Sequence, residues 1–261
     1  MRFLTGNPRF RNMPVRDFKT AALLEVREAM VKKEFVRKSI NCHVNRIRRM
    51  FAWGVEHELV KPEHLIVLKT VAGLKQGRSR AVESEPVGPV SLAHVDAAKD
   101  FLRPVVWGMI QLQLLTGMRP GEVRTMRLTD IDRSGDVWEY VPSEHKTQHR
   151  GKQRRIYVGP EGQKILQPFL KADQSKYVFE SKTGRCYGKD SYIKAVSRAC
   201  INAEIPVWSP NQLRHTAATE IRRQFGLEAS RTILGHASSD VTQIYAERDF
   251  EAARSVIRRI G

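Results

Sequence analysis

The feature that most constrains the fold of this chain is a polar segment, KQGRSRAVESEPVGPVS (75–91), which interrupts the pattern of apolar residues. Its charged side chains, two prolines and two glycines are typical of a linker. A chain of 261 residues is long enough to bury a separate hydrophobic core on each side of such a linker. We therefore predict one domain over residues 1–80, a linker over 81–90 and a second domain over 91–261.

The first domain is predicted to be a small group of helices, because it contains no clear strand. Residues 38–60 carry apolar side chains at intervals of three and four, which places them on one face of a helix. The expected cap of that helix is Ser39. Two further helices are predicted over 20–34 and 62–74, the second with Pro62 in its first turn.

The second domain is predicted to combine helices with one hairpin. Two segments rich in β-forming residues, DVWEYVPS (136–143) and RRIYVG (154–159), enclose a basic connection and are expected to pair. The expected helices cover residues 91–102, 104–116, 120–127, 160–171, 188–203, 209–225, 228–235, 238–247 and 250–260. The whole chain is thus expected to be mainly α with a small antiparallel β-sheet, an α+β fold.

Charge points to a polyanionic partner. The formal net charge is +17, and residues 1–80 hold 18 Lys and Arg against 7 Asp and Glu, a net +11. Such an excess favours nucleic acid over an acidic membrane surface, since no basic amphipathic anchor stands out. Arg46, Arg48 and Arg49 fall mostly off the apolar stripe of the 38–60 helix. We expect them to face outward and to contact DNA phosphates.

Composition disfavours several other classes of protein. No run approaches the roughly eighteen apolar residues that a membrane span needs, and the first residues lack the apolar stretch of a signal peptide. The three cysteines are far apart, which fits a reduced cytoplasmic protein better than a disulfide framework or a metal site. There is no GxxxxGK[ST] loop and no carboxylate cluster placed for magnesium, so no metal or other cofactor is expected.

Four segments of the second domain carry the groups that phosphoryl transfer to a protein hydroxyl requires. That reaction needs a nucleophile in line with phosphorus, cations on the non-bridging oxygens and a proton donor for the leaving oxygen. Arginine suits the cationic role because its planar fork binds phosphate through two donors and stays charged.

The first segment, LLTGMRPGEVRTMRL (114–128), places an arginine at a helix N-terminus. Gly117 is expected to end one helix and Pro120 to begin the next, so Arg119 lies where backbone N–H groups and the helix dipole favour an anion. Glu122 is spaced to bond back and hold the Arg119 guanidinium. Taken alone, this pattern is more often an ordinary surface ion pair.

The other three segments add a lysine, a second arginine, a histidine and a tyrosine. The hairpin tip EHKTQHRGKQ (144–153) holds Lys146 with Arg150 and Lys152, and Arg154 and Arg155 follow it; spacing does not decide which of these cations acts in catalysis. In SPNQLRHTAATEIRRQFG (209–226), a capping box of Ser209 and Gln212 brings Arg214 and His215 near a helix N-terminus. In ILGHASSDVTQIYAERD (233–249), Tyr245 follows His236 by nine residues.

Together, the ordered signatures GMRPGE, HKT, LRHTAAT, LGH and IYAERD resemble the catalytic domain of tyrosine recombinases, the phage integrase family. The family's pattern is an Arg in a G-x-R-x-x-E context, a hairpin Lys, an H-x-x-R helix, an L-G-H/W turn and a Tyr about nine residues later. The resemblance runs from about residue 90 to 250. Residues 10–75 resemble the family's helical core-binding domain.

The resemblance implies a role for each matching residue. Arg119 and Arg214 would clamp the scissile phosphate, and Lys146 would protonate the 5′-oxygen leaving group. His236 would hydrogen-bond the phosphate, and Tyr245 would form a 3′-phosphotyrosyl link. Because that link conserves the energy of the phosphodiester, no ATP is needed, and the two arginines replace a metal.

The resemblance also implies a biological setting. The chain would be a site-specific recombinase or integrase of a mobile element, acting on double-stranded DNA in the cytoplasm at the nucleoid. It would work as a homotetramer on paired DNA sites and be a monomer or weak oligomer when free. The helix expected over 250–260 would dock on its own protomer or on a neighbour. Arg150 and Lys152 are expected to contact DNA.

One position departs from the family pattern. The H-x-x-R motif begins here with Asn211, whose amide does not accept a proton near neutral pH. We expect water, the phosphate or His215 to take the proton of Tyr245, with Asn211 in a supporting role.

Three interpretations remain: an active recombinase, a type IB-like topoisomerase, or a catalytically impaired DNA-binding relative. In addition, MRFLTGNPRF (1–10) is predicted to be too short and irregular to supply the first helix of a core-binding domain, which would leave that domain truncated at its N-terminus.

Overall fold

The structure, a computed structural model, describes residues 2–143, 154–170, 173 and 176–235. The chain divides into two compact units between Pro86 and Val87. Each unit has its own cluster of buried apolar side chains. The fold is mainly helical with one three-stranded antiparallel sheet, so the predicted fold class is confirmed.

Within the described residues, all regular secondary structure of the first unit is helical. The helices are α1 (Arg2–Thr5), α2 (Pro8–Arg11), α3 (Thr20–Lys32), α4 (Arg37–Glu56) and α5 (Pro62–Lys69), with a 3₁₀ turn at Val15–Asp17. The predicted stripe is the buried face of α4, where Ile40, Val44 and Ile47 are at most 4% exposed. Pro62 occupies the first turn of α5, as predicted.

Three details of the first unit differ from the prediction. Helix α4 begins before Ser39, with Val36 as its N-cap, because the Arg37 backbone N–H donates to the Val82 carbonyl at 2.8 Å and fixes the start of the helix. Leu59 lies within the helix predicted over 38–60, but it is 70% exposed because α4 has already ended.

The third difference concerns the first ten residues, which form α1 and most of α2 rather than an irregular segment. Phe10 is buried in the core of the unit, and the Phe3 ring packs edge-on against Phe35 at 5.1 Å between centroids. Local helix capping contributes here, because Asn7 accepts a hydrogen bond from the Arg9 backbone N–H at 3.0 Å.

The predicted linker is attached at both of its ends. On one side, the Arg37 guanidinium donates to Glu83 at 2.6 Å, and Ala81 is buried in the first unit. On the other side, the Val90 backbone N–H donates to the Thr216 hydroxyl at 2.9 Å within the second unit. The segment between these anchors is therefore shorter than the sequence pattern suggests.

The second unit packs helices against the inner face of its small sheet. Its elements are α6 (Leu92–Ala97), α7 (Pro104–Thr116), α8 (Pro120–Arg124), β1 (Ile131–Asp132), β2 (Trp138–Tyr140), β3 (Ile156–Val158), α9 (Pro160–Leu166), α10 (Lys189–Asn202) and α11 (Pro210–Leu234). Strands β2 and β3 pair antiparallel with Tyr140 opposite Ile156, which confirms the two predicted strands. Strand β1, which was not predicted from the sequence, pairs with the other edge of β2.

The element α11 contains the two helices predicted over 209–225 and 228–235, which are separated by a non-helical residue at Gly226. The chain bends at Gly226, whose φ of 84° and ψ of 176° only glycine adopts without strain, and then continues to Leu234. The helices predicted over 238–247 and 250–260 and the hairpin tip 144–153 lie outside the described residues. Among the helices that are described, none is both long enough and apolar enough to cross a membrane.

Candidate active site

The first candidate arginine, Arg119, occupies the N-cap of α8, where the sequence placed it. Its backbone N–H donates to Glu122 Oε2 at 2.6 Å, and its guanidinium Nη1 donates to Glu122 Oε1 at 2.8 Å. Glu122 is 4% exposed, whereas the Arg119 side chain is 28% exposed. A buried carboxylate therefore fixes the orientation of a guanidinium that still reaches the surface.

A left-handed glycine sets the approach to this arginine. Gly117 ends α7 with φ of 63°, as its expected role required. An added Cβ at Gly117 would lie 2.4 Å from Leu234 Cδ2 and 3.6 Å from Ala217 Cβ, both on α11. The absence of a side chain thus lets the turn before Arg119 pack directly on α11.

The second candidate arginine, Arg214, binds the same turn. Its Nη1 donates to the Gly117 carbonyl and its Nη2 to the Leu234 carbonyl, both at 2.7 Å. The side chain is 4% exposed. Arg214 thereby joins three parts of the sequence motif: the turn two residues before Arg119, the start of α11 and the last residue of α11.

Asn211 and His215 lie one turn apart on α11. The Asn211 amide nitrogen is 3.2 Å from His215 Nε2. Because an amide nitrogen only donates, this contact requires Nε2 to be unprotonated and the imidazole to be neutral. Burial lowers the pKa of His215 from its ordinary 6.5, and the charge of Arg214 lowers it further. Both effects keep His215 neutral near pH 7.

A third arginine near this site is Arg154, one of the basic residues of the hairpin region among which sequence spacing did not choose. It immediately precedes β3, is 6% exposed, and its Nε lies 3.6 Å from Glu122 Oε1. Its Nη1 donates to the Ile233 carbonyl at 2.8 Å. The alternation of side chains at β3 and just before it indicates that Arg154 points inward. Arg154, Ile156 and Val158 are buried, whereas Arg155 and Tyr157 are exposed.

Five of the predicted site residues lie outside the described residues. They are Lys146, Arg150, Lys152, His236 and Tyr245. The described residues nearest to them in sequence are Arg154, which follows the hairpin tip, and Gly235, which precedes His236. Gly235 takes φ of 64° at the end of α11, where the helix predicted over 228–235 was expected to end.

The three arginines predicted to contact DNA from α4 behave differently. Arg46 and Arg49 are exposed. Arg48 is half-buried: it donates to the Leu68 carbonyl at 3.1 Å and also to the Val71 carbonyl, and its contact with DNA stays a prediction. These carbonyls lie at and beyond the C-terminal end of α5, where backbone acceptors have no partner in the helix. Arg48 therefore fastens α5 to α4.

No resident metal site is evident in the described ranges, where no three His, Cys, Asp or Glu side chains gather as a ligand set. The charged groups that do converge are Arg119, Arg154 and Arg214 with the single carboxylate of Glu122. Their formal sum is positive, so the arrangement is suited to an anion. Arginine forks offer such an anion paired donors without a metal ion.

Comparisons with known proteins identify relatives over most of the chain. The phage integrase family model matches residues 96–252. The tyrosine recombinase XerC of Haemophilus ducreyi is 25% identical over 231 residues, which cover 82% of this chain and 69% of that protein. The tyrosine recombinase XerD of Ralstonia nicotianae is 23% identical over 219 residues, covering 80% and 68%.

Solved structures share the fold. The integrase of transposon Tn1549, in complex with transposon right end DNA, has a TM-score of 0.75 at 19% identity and covers 99% of this chain and 90% of that one. A lambda integrase dimer bound to a core site has a TM-score of 0.70 at 14% identity, covering 92% and 84%. The family match spans more than half of the sequence and includes every catalytic signature, and the chain therefore belongs to the phage integrase family of site-specific tyrosine recombinases.

Proposed function

We propose that this chain cleaves and rejoins double-stranded DNA at specific sites through a covalent 3′-phosphotyrosyl intermediate. Arg119 and Arg214 clamp the scissile phosphate, and Tyr245 attacks it. Lys146 protonates the leaving oxygen, and His236 hydrogen-bonds the phosphate. The roles of Lys146, His236 and Tyr245 rest on their places in the family motif.

The observation that carries the proposal is the bond from Arg214 to the Gly117 carbonyl, two residues before Arg119. It ties the two family arginines, 95 residues apart in sequence, to one turn. A second bond, to Leu234, holds the end of α11 from which the chain continues to His236 and Tyr245. Cations fixed before DNA arrives need no reorganisation as charge develops on the phosphate.

The proposed reaction balances without an external energy source. The Tyr245 oxygen forms a bond to phosphorus as the bond from phosphorus to the 5′-oxygen breaks. The proton of the tyrosine leaves to an acceptor, and Lys146 gives one to the 5′-oxygen, which departs as a hydroxyl. The 5′-hydroxyl of a partner strand then attacks the phosphotyrosine and restores a phosphodiester. A phenol has an ordinary pKa near 10, so the attack needs that acceptor.

His215 is the protein group that we propose as the acceptor, directly or through water. Its neutral state near pH 7 supports this, because a neutral imidazole accepts a proton. The Asn211 amide holds the ring through the 3.2 Å contact to Nε2, and this bond has to open before Nε2 takes the proton. In this arrangement the family's usual histidine is replaced by an amide, and the proton acceptor moves one turn along α11.

The proposal assigns complementary tasks to the two units. The first unit, with its surplus of basic residues, acts as the core-binding domain, and the second performs the chemistry. We propose that four protomers act on two DNA sites, as the family implies, and that the enzyme works with its DNA in the cytoplasm, at the nucleoid. Arg150 and Lys152 add DNA contacts from the hairpin tip.

The test begins with DNA selected from a random-sequence pool for binding to this chain. Duplexes of the selected sequence, each carrying one nick at a different position, then serve as suicide substrates, because the short strand released by cleavage diffuses away and leaves the covalent adduct. We expect a protein–DNA adduct at one nick position and recombination between two intact copies of the selected duplex. No adduct at any position would overturn the proposal, and relaxation of supercoils without recombination would indicate a topoisomerase.

A further inference from the structure

The buried guanidinium of Arg154 makes contacts that the proposed chemistry does not yet use. Its exposed neighbour Arg155 pairs with Glu139 at 2.6 Å on the outer face of the sheet. Arg154 instead points inward, beside Glu122 and the end of α11. A side chain with five donors is expensive to bury, so its position calls for a reason.

Stability does not supply that reason. Among the described residues, Nε and Nη2 of Arg154 are buried without a hydrogen-bond partner. Burial lowers the pKa of Arg154, and nearby Arg119 lowers it further, while Glu122 opposes both effects. A buried and incompletely paired charge is often replaced by an apolar side chain at no cost in stability.

The contacts of Arg154 instead connect the parts of the active site. Glu122 Oε1 is 2.8 Å from Arg119 Nη1 and 3.6 Å from Arg154 Nε, so one carboxylate oxygen lies between two guanidinium groups. The Ile233 carbonyl, which accepts the bond from Arg154, is three residues before His236. Close packing continues at Gly235, where an added Cβ would lie 2.8 Å from Arg154 Nη1.

We infer that Arg154 is a positioning residue for strand cleavage, an inference that rests on the proposed function. It sets the orientation of Arg119 through Glu122, and it holds the end of α11, where the segment bearing His236 and Tyr245 begins. Removing the charge leaves Glu122 bound to Arg119 alone and frees the Ile233 carbonyl. The phosphate clamp and the nucleophile segment then lose their common support, and a shift of about 1 Å between reacting groups costs on the order of 10²-fold in rate.

The test uses the full chain and the nicked selected duplex. Arg154→Met keeps the length of the side chain and removes the charge, whereas Arg154→Lys keeps a charge that cannot reach both partners. Arg155→Met is the matched control, one residue away on the exposed face. We expect Arg154→Met to slow adduct formation at saturating DNA by about 10²-fold. DNA affinity should change by less than about threefold, since a positioning residue need not touch DNA.

A double variant separates positioning from a general loss of structure. If Arg154 acts through Glu122, then Glu122→Gln with Arg154→Met will be slowed by clearly less than the product of the two single effects, because both changes break the connection to Arg119 and only the bond to Ile233 is lost in addition. Multiplied effects would show that the two side chains act independently and would overturn the inference. Arg154→Lys should fall between wild type and Arg154→Met, and it also keeps the test valid if the methionine variant does not fold.

The two proposals fail in different ways. If wild type forms the adduct and Arg154→Met matches Arg155→Met in rate, only the role of Arg154 is wrong. If wild type forms no adduct on any nicked duplex, the proposed function is wrong and the role of Arg154 falls with it.

Discussion

The exposed arginines of α4 and the buried arginines of the second unit are used in opposite ways, although Arg27 and Arg37 of the first unit also donate to backbone carbonyls. In the first unit, Arg46 and Arg49 are exposed on α4. In the second unit, Arg154 and Arg214 are buried and bonded to backbone carbonyls. The difference teaches that binding a polyanion requires positive charge in roughly the right place, whereas acting on one phosphate requires guanidinium groups whose orientation is fixed.

Arg48 shows that composition alone does not separate the two uses. It lies between two exposed positions of the first unit, yet it is bonded to the carbonyls of Leu68 and Val71. The relevant property is therefore the partner of each guanidinium and not its location in the basic half of the chain. Four sets of variants test this contrast.

The largest effect is expected at Arg214. Arg214→Lys keeps the charge but loses the fork that reaches both Gly117 and Leu234. We expect the rate of adduct formation at saturating DNA to fall about 10²–10³-fold, the usual loss when one fixed donor to a developing anion is removed. The matched control is Arg223→Lys on the same helix, where the side chain is 70% exposed. A rate for Arg214→Lys equal to that of the control would contradict the clamp.

The next effect is on stability, at the turn that Arg214 binds. Gly117→Ala puts a Cβ 2.4 Å from Leu234 at a positive φ, whereas Gly184→Ala has a positive φ with nothing within 4 Å. We expect Gly184→Ala to cost about 1 kcal/mol from backbone strain and Gly117→Ala to cost about 2–4 kcal/mol, since overpacking is added to strain. Denaturant unfolding measures both. Equal losses of unfolding free energy would mean that the turn at Gly117 adjusts to the added methyl group and does not fix the position of Arg119.

A smaller effect is expected from the exposed arginines of the first unit. Arg46→Ala or Arg49→Ala should weaken DNA binding several-fold and lower the slope of log affinity against log salt by about 0.9 for each phosphate that the variant no longer neutralises. The cleavage rate at saturating DNA should not change. Arg48→Ala should instead lower the free energy of unfolding by about 1–2 kcal/mol, because it removes bonds to helix-end carbonyls. Reduced cleavage by Arg49→Ala at saturating DNA would contradict the claim that the exposed arginines of α4 serve binding and not cleavage.

The smallest effect is the pH dependence of stability from His215. In the folded protein its pKa is lowered by burial and by Arg214, while the unfolded chain binds a proton near the ordinary value of 6.5. Unfolding therefore takes up a proton below this value, and the free energy of unfolding falls as pH drops through 6.5 toward the folded pKa. His215→Gln should lose this part of the decline. Parallel curves for the two proteins between pH 7.5 and the acid limit would show that His215 titrates normally.

Local sequence patterns predicted much of the fold because helices and turns leave local signals. The α4 stripe, the glycine at the end of α7 and the capping pair Ser209 and Gln212 were all read from neighbouring residues. The start of α4 was not, because it depends on Val82, 45 residues beyond Arg37 in sequence. Strand β1 was missed because two residues show no alternation, and their pairing with β2 is tertiary.

The candidate site divides in the same way. The bond from Arg119 to Glu122 spans three residues and was predictable. The partners of Arg214 and Arg154 are up to 97 residues away, so no spacing rule could assign them. The inward direction of Arg154 could still have been predicted. Side chains alternate between the two faces of a strand, and Arg154 is two residues before the buried Ile156.

The central claim is that buried, fixed arginines prepare a phosphate for attack by Tyr245. The most direct measurement is covalent trapping on the nicked selected duplex by wild type and by Tyr245→Phe, with the attached residue identified by mass spectrometry of the digested adduct. We predict a DNA adduct on Tyr245 in wild type and none in Tyr245→Phe, which should still bind the duplex. An adduct that persists in Tyr245→Phe, or maps to another residue, would contradict the claim.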